Sequence, residues 1–335
     1  MSQGPNPFDV HYVRPTGPRI QPEPTSTPHR GRWWSPVLVV FASFLTFFVA
    51  SGVMIVVACI AVHGEFNQRI LTSSESMMAV SSSRVGLLLL VAAPQLALLV
   101  PSLVAAALSP QRTGPRLSLV RGHWPIWAWF AAAAVTPLVG WMSSLVVGSF
   151  MEESENLQMM SEVFRAHGQS GFLIPLALLI GVTPAICEEL LFRGYVQTRL
   201  NSSFGPAIGI LVSSFLFAAF HMDPVHVVAV FPLGVFLGCV AWRSGSLLPA
   251  MLGHFVNNAV SVVTVVLAPA DADSLSPAMD NFLTLVLIGG AIGFFMLVYA
   301  WREYPSPTDD RAEPIVAGIP VEAEIGAPED GTSAV

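Results

Sequence analysis

Lysine is absent from the 335 residues, so arginine supplies all 15 positive charges. Charge of either sign is scarce, 11% of the chain against ~25% in an ordinary globular domain. That is too little to coat a soluble fold. With 22 acids the net charge is −7 and no basic stripe occurs, which excludes a nucleic-acid binder of the usual kind. Cysteine is nearly missing. Cys59, Cys187 and Cys239 lie in apolar runs without C-x-x-C spacing, so neither a disulfide framework nor a thiolate metal site is expected. Cys187 adjoins two glutamates and invites a nucleophile reading, but a buried cysteine is more often an inert core residue. There is no internal repeat. No apolar stretch stands close behind Met1, so no secretory signal is expected.

What the chain has is hydrophobic residues, 53% of it. They fall into eight runs, at 37–62, 85–108, 124–150, 172–191, 206–221, 225–242, 247–268 and 282–301. A helix needs ~20 apolar residues to cross the hydrocarbon layer. Most runs meet that, and the fifth and sixth are short. The expected fold is an all-α polytopic membrane protein with about eight transmembrane helices, the second kinked at Pro94 and Pro101. Residues 1–35, with seven prolines and four arginines, read as a disordered tail, and so does 302–335, with eight acids against two arginines. Between them come 36–169 with three spans and an external amphipathic loop, a core at 170–265, and a last span in 266–301. In the loop, 151–170, Leu157, Met160 and Phe164 recur at helical spacing beside Met159 and Val163, as in a surface-lying helix.

The arginines set the orientation. In the eight-span reading twelve lie on the side of the N-terminus and three (Arg69, Arg84, Arg165) on the other. That bias puts both termini in the cytoplasm of a plasma (inner) membrane protein. Arg121, Arg199 and Arg243 read as topology determinants. Trp33, Trp34, Trp124, Trp127, Trp129, Tyr299 and Trp301 stand at the boundaries of runs, as interfacial aromatics do.

With loops and tails set aside, the ionisable groups left in or beside the spans are Glu188, Glu189, Arg193, His221 and His254, with Asn258 as a polar companion. A carboxylate inside a membrane costs several kcal/mol, ~2.5–3.5 on insertion scales, and is a functional hypothesis by default. Glu189 and Arg193 are four apart, so one helix face can hold an ion pair. Glu188, about 100° round the helix, is left free. Phe217 and His221 are four apart, as are His254 and Asn258. A Glu, two His and an Asn from helices 4, 5 and 7 are ingredients for activating a water and stabilising an oxyanion. Glu188, His221 and His254 are equally a candidate zinc set. For these groups to share one depth the fourth helix must run long, over about 172–200. Glu188 then lies roughly 18 Å above its inner end, with His221 and His254 at roughly 24 and 12 Å in their own helices.

The E-E-x-x-x-R of Glu188, Glu189 and Arg193, the F-x-x-x-H of Phe217 and His221, and the H-x-x-x-N of His254 and Asn258 closely resemble, in order and separation, the CPBP family of intramembrane proteases. That family includes CAAX prenyl endopeptidases and bacteriocin-processing or immunity-associated proteins. The resemblance covers about residues 170–265. It implies a membrane endopeptidase dependent on neither serine nor cysteine, acting on a membrane-embedded or lipidated peptide or protein. Glu188 would be the general base and His221 would help hold the attacking water. His254 and Asn258 would stabilise the oxyanion, Glu189 and Arg193 would charge-balance the site, and Phe217 would pack against it. Members are often labelled metalloproteases, while a metal-free glutamate mechanism is also argued. Zinc therefore stays open, and no H-E-x-x-H helix is present.

His63, His123, His167 and His226 lack partners at useful spacing and read as structural, and Asp223 as a solvated loop carboxylate. Two other function classes remain open. An ion- or proton-coupled transporter would also place Glu and His in the membrane, but predicts repeated halves and broken helices. A scaffold or immunity protein would keep the fold without the cleavage.

Overall fold

The computed structural model describes residues 34–268 and 276–306, so the expected tails and Trp33 lie almost wholly outside the described residues. The apolar runs become helices: α1 (Ser35–His63), α4 (Arg84–Ala107), α6 (Ile126–Gly148), α8 (Leu173–Glu189), α10 (Pro206–Ala219), α11 (Pro224–Ser244), α12 (Leu248–Leu267) and α13 (Pro277–Glu303). Shorter helices link them: α2 (Gln68–Thr72), α3 (Ser74–Ser82), α5 (Thr113–Arg116), α7 (Glu155–His167) and α9 (Thr198–Phe204). The starts and stops follow local chemistry. Pro36 occupies the first turn of α1, where a missing N–H costs nothing, and Gly64 ends the helix in the left-handed conformation. Ser83 and Ser276 cap α4 and α13 by accepting from the Gly86 and Met279 amides.

Seven helices are long and apolar enough to cross a membrane, and no strand occurs among the described residues. The fold is all-α and polytopic. The expected eighth span is the exception. The fifth run gives only the 14 residues of α10, roughly 21 Å, because the chain turns at 220–223. That is short of the ~30 Å of hydrocarbon. The sixth run, equally short in sequence, extends through Ser244 into the 21-residue α11. Large apolar side chains such as Phe41, Leu145 and Phe295 are exposed on the outer faces of α1, α6 and α13, as suits lipid contact.

The fourth run is the scaffold of the candidate site. α8 passes without interruption through a π-helical stretch, Leu190–Gln197, into α9, so the helical path runs from Leu173 to Phe204 and contains the expected 172–200 helix almost entirely. All eight π-helical residues are buried. α8 packs on α4 and α12, α12 packs on α6, and α10 lies against α11 and the π-helical stretch. α4 continues through Pro94 and Pro101.

Four local expectations change. In α7 the buried face is Val163, Phe164 and His167, packed with Leu87, Leu176 and Val266, while Met159 and Met160 are exposed. The stripe sits one turn later than the Leu157–Met160 spacing indicated, because only the C-terminal half of α7 reaches the bundle. Arg199 and Arg243 are buried rather than displayed at the surface. Arg199 stacks on Tyr195 and donates to its carbonyl, and Arg243 donates to the Trp301 carbonyl. Trp124 is fully buried against Trp301 and is no interfacial anchor. Asp223 is the N-cap of α11, accepting from the His226 amide at 2.9 Å.

Candidate active site

Glu188 and Glu189 end α8, the last residues before the helix widens. Short π-helical insertions are frequent at functional sites, because they re-aim side chains that an α-helix would hold on a fixed spiral. Here the widening leaves Glu189 and Arg193 on one face. Arg193 Nη1 donates to Glu189 Oε1 at 2.8 Å, with both side chains shut off from solvent.

The other end of Arg193 is held by α11. Nη2 donates to the Gly234 carbonyl at 3.1 Å, and one turn on Gln197 Nε2 donates to the Gly238 carbonyl at 2.8 Å. Glycine leaves room at both places. A Cβ on residue 234 would stand 3.0 Å from the Phe217 ring, and one on residue 238 would stand 2.8 Å from Gln197 Oε1. The guanidinium also lies over the Phe217 ring, 4.2 Å from its centroid. Arg193 is thus locked by an ion, a carbonyl and an aromatic face.

His254, on α12, shares the same carboxylate. Its Nδ1 lies 2.9 Å from Glu189 Oε1. A carboxylate only accepts, so Nδ1 carries the proton and Nε2 is left for other work. That Nε2 points to Glu188, 3.9 Å from Oε2. The gap is too long for a hydrogen bond and suits a single water touching both. Glu189 therefore sits between Arg193 and His254 and orients both, while Glu188 keeps an oxygen that no protein donor reaches.

Phe217 connects the second histidine. Its ring meets the His254 ring edge-on at 5.7 Å and the His221 ring edge-on at 5.3 Å. His221, just past the end of α10, directs Nδ1 to the Phe217 carbonyl at 3.1 Å, which leaves its Nε2 as the free nitrogen. The next residue is strained: Met222 has φ 56°, a left-handed conformation uncommon for residues other than glycine. The structure thus gathers Glu188, Glu189, Arg193, Phe217 and His254 through direct contacts and joins His221 through Phe217. Asn258 is occupied elsewhere. It donates one amide hydrogen to the Ile180 carbonyl at 3.2 Å and accepts from Asn257. Among the described residues no three of His, Cys, Asp and Glu gather as a metal-binding group.

Two partners escaped the sequence. Gln95, on α4, donates from Nε2 to Glu188 Oε1 at 2.9 Å. A search for charges passes over a neutral amide, although its place in an apolar run was a signal. His226 packs its ring 4.4 Å from that of His221, a proximity made by the α10–α11 turn and invisible in helical spacing. Below the site a cavity of about 450 Å³, lined by Gln197, Thr198, Asn201, Ser202 and Trp242, leads to Arg193. A larger groove of about 870 Å³ between α6, α11 and α13 is apolar and touches none of these groups.

Residues 170–260, 91 of the 335, match the Rce1-like family, described as type II CAAX prenyl endopeptidase Rce1-like. The matched segment contains every residue of the constellation except Gln95. The match is thus to a CAAX-type membrane-protease domain, and it lies in an integral membrane protein with seven helices long and apolar enough to span a bilayer. No curated protein and no solved structure matches the chain.

Proposed function

We propose, from the premise that residues 170–260 form a Rce1-like endopeptidase domain, that the protein hydrolyses a peptide bond of a membrane-embedded or lipidated substrate by glutamate-activated water. The observation that carries this is the buried Glu188 carboxylate, with one oxygen bound by Gln95 and the other free of protein donors, 3.9 Å from His254 Nε2. Glu188 takes a proton from the water while the water oxygen bonds to the scissile carbonyl carbon. The developing oxyanion needs a donor. His254 in its doubly protonated form would supply it from Nε2, steadied through Nδ1 by Glu189, and Asn258 would join only by turning its remaining amide hydrogen away from its contacts with Ile180 and Asn257. The proton on Glu188 then passes to the leaving amine as the C–N bond breaks. Arg193 balances Glu189, so that the second carboxylate supports the histidine without competing for the proton. His221 holds the water or the substrate from the far side of Phe217.

The proposed placement is an inner membrane with both tails in the cytoplasm. The spanning helices run through Pro94, Pro101, Pro137, Pro184 and Pro232 without the mid-membrane breaks of a transporter site. The test uses the purified chain in detergent or lipid nanodiscs with a fluorogenic prenylated peptide ending in a Cys-aliphatic-aliphatic-X sequence, followed by mass spectrometry. Wild type should release the C-terminal residues, and Glu188→Ala should lose at least ~10²-fold in rate, as removal of a general base does. Equal cleavage by the two proteins would defeat the reading.

A further inference from the structure

We infer that Gln95 is a positioning residue of this site: it fixes the Glu188 carboxylate and supplies the second acceptor for the attacking water. The inference rests on the proteolytic reading and extends it to a helix outside the matched segment.

Gln95 is the one amide side chain in α4, set among Pro94, Leu96 and Leu98 where hydrocarbon is the rule. Its hydrogen bond to Glu188 joins residues 93 apart, so it exists only because α4 packs on α8. The amide has one sensible orientation. Reversed, its oxygen would oppose the carboxylate oxygen and two acceptors would face each other without a proton.

With Nε2 committed, one acceptor remains at each side of the bond, Gln95 Oε1 and Glu188 Oε2. Both are shielded from solvent and neither receives a hydrogen bond from the protein. Buried acceptors are rarely left so. A water carries two hydrogens and can satisfy both acceptors together. Once both hydrogens are engaged, the lone pairs of the water face away from Glu188 and Gln95, toward an incoming carbonyl carbon. When the water attacks, one proton moves to Glu188 Oε2 and the other stays on the new hydroxyl, still directed at Gln95 Oε1. Glu188 later returns its proton to the leaving amine, so the count of atoms and charges closes.

A space-filling role predicts something different, and Gln95→Leu separates the two. Leucine suits the apolar helix and removes an unpartnered oxygen but takes the Gln95 donor from the buried Glu188 carboxylate, so melting in detergent should fall by several degrees. With the same prenylated peptide, kcat should fall roughly 10- to 100-fold with KM within twofold of wild type, the pattern of a lost orienting contact. Unchanged kcat overturns the inference, and so does a loss carried by KM with kcat at the wild-type value. If wild type and Glu188→Ala leave the peptide equally intact, the proteolytic reading fails by itself and a second measurement decides Gln95. The infrared carboxylate band lost in Glu188→Gln should shift in Gln95→Leu. A band at the wild-type position overturns the pairing.

Discussion

Replacing Arg193 by methionine is the sharpest test of how the site is held together. The substitution keeps an unbranched stem of comparable length and removes three contacts at once: Nη1 on Glu189 at 2.8 Å, Nη2 on the Gly234 carbonyl at 3.1 Å, and the guanidinium face on Phe217. Glu189 would be left buried with only His254 Nδ1 as a donor. Breaking a buried pair by removing one member costs about 3–5 kcal/mol, because the remaining charge has neither water nor partner. Glu189→Gln should cost a similar amount by stranding Arg193. The double variant, with neither charge, still gives His254 an acceptor through the glutamine oxygen. Its loss should therefore lie well below the sum of the two singles, a coupling of a few kcal/mol. Thermal unfolding in detergent reads this directly. At about 2–4 °C per kcal/mol each single variant should melt on the order of 10 °C below wild type. If the two losses simply add, or Arg193→Met melts within a few degrees of wild type, the shared-carboxylate arrangement is wrong.

Two further outcomes are expected. Asp223 caps α11 from the turn that precedes the helix, and a hydrogen bond from the Ser154 side chain, then one from the His226 amide, hold its carboxyl below the ordinary carboxylate value. A depressed folded-state pKa adds stability above the unfolded value, near ~3.9, and that increment vanishes as pH falls through the folded value. Asp223→Ala should therefore cost about 1 kcal/mol at neutral pH through the lost cap. Asp223→Asn should keep the cap and lack the acid-dependent part. Melting curves of wild type and Asp223→Asn that move in parallel on acidification would refute this. For orientation, Met159→Cys on α7 should react in intact cells with a membrane-impermeant thiol reagent, and Gln111→Cys only after lysis; the reverse pattern inverts the proposed topology.

Much of the fold was legible because hydrocarbon imposes a simple rule. A spanning segment must satisfy its own backbone, and the eight apolar runs became the eight principal helices. The exception, α10, is a matter of length that hydropathy blurred, since His221 and Met222 read as the end of a span when they form its terminating turn. The candidate residues on α8, α10 and α12 were legible for a related reason: few charges occur in these runs, so each one stands out. That filter had a blind side. It passed over Gln95, which carries no charge. It also read Arg199 and Arg243 only as topology determinants, although each places its guanidinium against a carbonyl and an aromatic ring inside the protein.

The sequence by itself determined the class of protein, a long fourth helix over about 172–200 and the Glu189–Arg193 pair, because these depend on composition and on spacing along one helix. Only the tertiary structure decided what each acid does. Glu188 and Glu189 are adjacent and chemically identical in sequence. One turns to Arg193 and His254 and becomes a support. Its neighbour turns to Gln95 and keeps an oxygen for chemistry. That division comes from which helix packs on which face of α8, a relation between residues up to 93 positions apart that no local pattern encodes.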